Sequence, residues 1–78
     1  MYRKFDFGKE LAEQVHSKYD VTYLSNWAHR KYLDHANQLD DETEIAIMTV
    51  ISMGEGDEFI LTKDELLKLA SDLQKNQL

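Results

Sequence analysis

Apolar positions recur every three or four residues in three separate stretches of the chain. Phe7, Leu11, Val15 and Tyr19 stand four apart, with Ala12 beside them. Lys9, Glu10, Glu13, Gln14 and Ser17 fill the remaining faces, so the spacing predicts an amphipathic helix from about Asp6 to Lys18 with Asp6 as its N-cap. A second helix opens at Asp20 or Thr22, with an inner stripe of Leu24, Trp27, Ala28, Tyr32 and Ala36, closed by Leu39. Near the end of the chain, Thr62 and Glu65 form a capping box. Leu66, Leu69, Ala70 and Leu73 follow at helical spacing and predict a last helix from about Lys63 to Gln74.

The stretch from Ile45 to Met53 reads two ways. Ile45, Ile47, Thr49, Ile51 and Met53 would share one face of a strand, and a hairpin pairing about 44–53 with 58–61 through Gly54–Asp57 is the α+β alternative. Asp41 followed by Glu44 has capping-box spacing, and Gly54 suits the position just past a helix end. The helix is the favoured reading, buried and apolar nearly all round. The expected fold class is therefore all-α, a compact bundle of four helices in one domain over residues 1–78, with short connections placing sequential helices side by side. Phe59 and Leu61 are expected to point inward from an extended linker, and the polar Lys75-Asn76-Gln77 end to fray.

Composition narrows the class. Seventy-eight residues bury only about 60% of the surface their unfolded chain exposes, and the absence of cysteine removes disulfides and thiolate metal sites as a remedy. Proline is absent and glycine occurs three times, which suits long helices. Asp6, Lys9 and Glu10 interrupt any apolar run after Arg3-Lys4, and Ile45–Met53 is far too short to span a bilayer. The expectation is a soluble cytoplasmic protein with no membrane partner.

Charge is the strongest functional signal. Nine acidic residues lie between Asp40 and Glu65, with Lys63 the only base among them. From Met1 to Lys31 the balance reverses, with six Lys/Arg against four acids, and the whole chain carries a net charge of −6. Such a field attracts cationic surfaces and repels phosphates, so nucleic acid is not expected as a partner. A helix-turn-helix reading fails for the same reason, since the third helix would present Asp40, Asp41, Glu42 and Glu44 to the groove.

Catalytic and metal chemistry find little footing. His29 and His35 are six apart and point to different helix faces, and solvated surface positions explain them and His16 best. An EF-hand alignment with Gly56 at its sixth position puts Ile51 and Met53 where oxygen ligands are needed. No nucleophile motif surrounds Ser17, Ser25, Ser52 or Ser71, and no phosphate-binding loop is present. The expectation is a non-enzyme without cofactor or metal. Trp27 reads as the centre of the core.

Leu24-Ser25-Asn26-Trp27-Ala28 on one helix, Asp40-Asp41-Glu42 opening the next, Gly56 to Phe59 and the closing Leu66–Leu73 helix form a pattern. It resembles the small helical bacterial immunity proteins that neutralise colicin-like or contact-dependent toxins. The resemblance implies an acidic protein that binds a basic toxin domain, often a nuclease, through carboxylates mimicking phosphates. The charge distribution independently nominates Asp40, Asp41, Glu42, Glu44, Glu55, Asp57 and Glu58 as the surface for a basic protein partner, with Tyr32 as an aromatic anchor. The competing expectation is a small structural or accessory protein that forms a homodimer through an apolar patch around Tyr23, Trp27 or Ile60.

Overall fold

A computed structural model describes residues 2–75; Asn76 and Gln77 of the expected fraying tail lie outside them. Among these residues the chain forms α1 (Lys4–Ser17), α2 (Val21–His35), α3 (Asp41–Ser52) and α4 (Lys63–Leu73), with 3-10 turns at Ala36–Gln38 and Asp57–Phe59. The fold is all-α, and the strand alternative for α3 is set aside. The cap is Asp40, one residue before the Asp41 whose spacing to Glu44 suggested a capping box: its side chain accepts the Thr43 amide at 2.8 Å, and the next turn is acidic at the positive end of the helix dipole.

The end caps differ in detail from the sequence expectation. α1 begins at Lys4 rather than Asp6, with Arg3 at the N-cap; Asp6 sits one turn in, and its carboxylate accepts the Arg3 amide at 3.0 Å. Tyr19 falls beyond the end of α1 and is half exposed, its hydroxyl donating to the Leu61 carbonyl at 2.6 Å. α2 is capped by Asp20 and ends at His35, which leaves Ala36 exposed in the following turn instead of on the inner stripe. Thr62 and Glu65 close the expected capping box at 3.1 and 2.8 Å. Gly54 follows α3 as expected, yet its φ is not positive. What requires glycine there is space, since an added Cβ would sit 2.6 Å from Ser25 Oγ.

Of the sequential pairs expected side by side, α2 and α3 pack closely, whereas α1 and α4, the ends of the chain, form the other close pair. α1 also touches α3. Gly8 lets α1 and α4 approach, since a Cβ there would lie 2.8 Å from the Ala70 carbonyl oxygen and from Leu73 Cβ. α2 and α3 are held at their meeting ends by Ser25, whose hydroxyl donates to the Ile51 carbonyl at 2.7 Å. Trp27 is buried between the two pairs and stacks on Phe7 with ring centroids 5.3 Å apart. Around it lie Leu11, Val15, Leu24, Ile47, Val50 and Leu66, all fully buried. Burial of such side chains stabilises by roughly 1.5–3 kcal/mol each.

α3 is not buried all round. Ile45 is 66% and Met48 44% exposed, while Thr43, Ala46, Ile47 and Val50 face the core. Phe59 likewise points outward at 49% exposure, whereas Leu61 packs against the core as expected.

Candidate functional site

The acids nominated from sequence fall at the two ends of α3. Asp40, Asp41, Glu42 and Glu44 belong to its N-terminus; Glu55, Asp57 and Glu58 follow its C-terminus. Twelve residues at 1.5 Å rise separate the ends by about 18 Å. That exceeds the Debye length of about 8 Å at physiological salt, so the two groups act as separate fields.

Two acids of the N-terminal group, Asp40 and Glu42, are engaged within the protein. Thr43 holds the Asp40 carboxyl below its usual range: its hydroxyl stands near enough to favour the ionised form without meeting hydrogen-bond geometry, and its backbone amide donates directly. Lys4 and Arg3 add attraction. Glu42 pairs with Lys4 at 2.9 Å. Glu44 is half-buried on α3, and Asp41 remains exposed in the first turn.

The C-terminal group is different. Glu55, Asp57 and Glu58 are all exposed, and among the described residues no Lys or Arg nitrogen pairs with them. They adjoin exposed Phe59 and Ile60, and the Tyr19–Leu61 hydrogen bond brings the α1–α2 turn to the same end of the bundle. Asp64, in the first turn of α4, is exposed there too.

Tyr32, the nominated aromatic anchor, is only partly exposed and packs against the core. Trp27, at 6% exposure, offers no surface. The apolar groups that do reach solvent on the α2–α3 side are Leu33, Ile45 and Met48, with Leu33 at 62%. Sequence reasoning placed Ile45 and Met48 in the core because it expected α3 to be enclosed. The polar neighbours of this row, Asp41 and Glu42 before Ile45 and Thr49 and Ser52 around Met48, were the available signal of an outward face.

The histidines have separate settings. His16 and His29 are exposed, as expected, but His35 is half-buried and its ring stacks on Tyr2 with centroids 4.0 Å apart. The Tyr2 hydroxyl donates to Glu10, which also pairs with Lys31 at 3.1 Å. Burial first, and then the Glu10 carboxylate, push the Tyr2 phenol well above its ordinary range, so it stays protonated. Tyr2, Asp6, Glu10, His35 and Gln38 line a hollow of about 300 Å³. Tyr2 ties the start of the chain to α1 through Glu10 and to α2 through His35. Among the described residues no group of three or more His, Asp or Glu converges as metal ligands would, and no helix is long and apolar enough to cross a membrane.

Comparison with protein-family models, with curated proteins and with solved structures finds no match.

Proposed function

We propose that this chain is a non-enzymatic acidic binding module that docks a basic protein domain, as an immunity or inhibitor protein does. One observation carries the reading: Glu55, Asp57 and Glu58 stand exposed without an ion-pair partner among the described residues, beside outward-facing Phe59 and Ile60. Carboxylates that neither cap a helix nor balance an internal cation have no role in this fold, and their field extends into solvent. Such groups steer a cationic partner and form charge-assisted hydrogen bonds on contact. Exposed aromatic and aliphatic neighbours supply the desolvated contacts that hold it. The resemblance to small helical immunity proteins points to the same class of partner, a basic toxin domain.

The test uses the partner captured from the native cell. Its association rate should fall steeply between low and high salt, and neutralising Asp41, Glu55, Asp57 and Glu58 together should remove most of that dependence. Salt-independent association, or equal binding by the neutralised protein, overturns the reading. Exposure of Leu33, Ile45 and Met48 favours a second reading, a self-associating accessory protein. Sedimentation over a range of concentrations separates the two, because a monomer at high concentration removes the second.

A further inference from the structure

The row Asp41, Ile45, Met48 and Ser52 runs along α3 at spacings of four, three and four, on the side away from the buried Thr43, Ala46, Ile47 and Val50. On α2 the row Thr22, Asn26, His29 and Leu33 has the same spacing and is exposed throughout. The Ser25–Ile51 bond sets the register of this antiparallel pair. Each step forward on α2 matches one step back on α3, which puts His29 level with Ile47–Met48 and Leu33 level with Thr43, within a turn of Ile45. Helical geometry then turns both rows to the same outer side of the α2–α3 layer. Leu33, Ile45 and Met48 form its apolar centre, and exposed carboxylates stand at both ends of α3: Asp41 at one, Glu55 beyond the other.

We infer that this outer α2–α3 face is the docking surface for an amphipathic helix of the basic partner, one with an apolar middle and Lys or Arg at both ends. The inference rests on the proposed binding of a basic partner and assigns that partner's contacting element. Its span follows from geometry: α3 from Asp41 to Ser52 is about 18 Å long and Glu55 lies in the turn just beyond, a span that roughly 15 helical residues cover. Charge selects the occupant. A second copy of the chain would bring its own Asp41 and Glu55 to the same face, whereas a cationic helix neutralises both acidic ends at once. Helix-in-groove recognition works through apolar anchors one turn apart, which Ile45, Met48 and Leu33 provide.

The probe is a 15-residue helical peptide with leucines along one face and two lysines at each end, compared with a scrambled peptide of identical composition. The wild-type chain should bind the patterned peptide at least tenfold more tightly, with backbone NMR shifts centred on Leu33, Ile45 and Met48. The double variant Ile45→Ser/Met48→Ser should lose about tenfold or more, since one well-buried aliphatic side chain is worth roughly that factor; its circular dichroism should match the wild type, because both side chains are solvent-facing. Equal binding of the two peptides, shifts confined to residues 55–60, or a dimer that Ile45→Ser dissolves would each overturn the inference. If binding is steep in salt and lost on neutralising the acids yet indifferent to Ile45 and Met48, the acidic module stands and this face falls. If the captured natural partner shows no salt dependence, both fall.

Discussion

The two ends of α3 carry the same kind of side chain at the same density, yet the protein uses them differently. At the N-terminus, Asp40 caps the helix, Asp41, Glu42 and Glu44 lie at the positive end of its dipole, and Glu42 meets Lys4. Asp40 and Glu42 have partners that the fold itself provides, while Asp41 is exposed and Glu44 half-buried. At the C-terminus, Glu55, Asp57 and Glu58 lie at the negative end of the same dipole, where a carboxylate is mildly unfavourable. That end is secured by close backbone packing, with Ser25 donating to the Ile51 carbonyl and fitting against Gly54. Acid clusters therefore have to be sorted by their partners before they are read as function. At the C-terminal end no Lys or Arg among the described residues pairs with the three acids.

The sharpest way to break this comparison is at Gly54. A methyl added there meets Ser25 Oγ at 2.6 Å and Ser25 Cβ at 3.0 Å, so Ser25 must swing away and release the Ile51 carbonyl. Gly54→Ala should lose about 1–3 kcal/mol, as overpacked sites do, read as a lower denaturant midpoint with an unchanged slope. An unaltered midpoint would mean that packing does not secure this end.

At the other end the decisive residue is Asp40. Asp40→Ala should cost about 1 kcal/mol, which in a domain of this size lowers the melting temperature by about 4–8 °C. Asp40→Asn keeps a good cap and should stay near the wild type at neutral pH. The two differ in acid. The folded-state pKa of Asp40 is depressed, so its stabilisation is present above its unfolded value of about 3.9 and is lost as pH falls through the lower folded value. The wild type should therefore lose stability below about pH 4 more steeply than Asp40→Asn, by thermal melts at matched ionic strength. Parallel curves would show that the cap does not depend on charge.

Much of this fold was legible because local chemistry and helical spacing agreed. Asp20 and the Thr62–Glu65 box mark helix starts that tertiary structure left unchanged. The β-branched run of α3 was ambiguous since Ile45, Ile47 and Ile51 suit a strand face, and only the Asp40 cap and its acidic turn favour the helix. The α2–α3 pairing was legible as a sequential one, but the α1–α4 pairing was not, because linkers of a few residues do not fix which helices close the bundle. Gly8 was the overlooked cue: a glycine inside a helix marks close approach, here to Ala70. The candidate acids were readable by type, but their division into engaged and exposed groups depends on Lys4 and Arg3, which lie far away in sequence. The Ile45–Met48 row was misplaced because sequence cannot say which flank of a half-apolar helix its neighbours cover.

Glu42 tests whether the N-terminal ion pair matters beyond the cap. Glu42 is largely exposed, and such pairs contribute about 0.2–1 kcal/mol, screened by salt. Glu42→Gln should show a loss in that range at low ionic strength that disappears at high salt. A loss that survives high salt would mean the side chain acts through packing.

The smallest effect on stability belongs to the residues with the largest proposed role. Glu55→Gln, Asp57→Asn and Glu58→Gln combined should move unfolding free energy by no more than about 0.5 kcal/mol, since exposed substitutions away from caps and packed contacts rarely do more. The direction at low salt should be slightly favourable, because three carboxylates leave the negative end of the α3 dipole and each other's neighbourhood. Partner association should fall in the same variant. Stability and binding thus separate at this end, whereas at Asp40 a substitution lowers stability first and binding only through it. A triple variant that melts several degrees lower would show that these acids are held by structural contacts, and the contrast between the two ends of α3 would collapse.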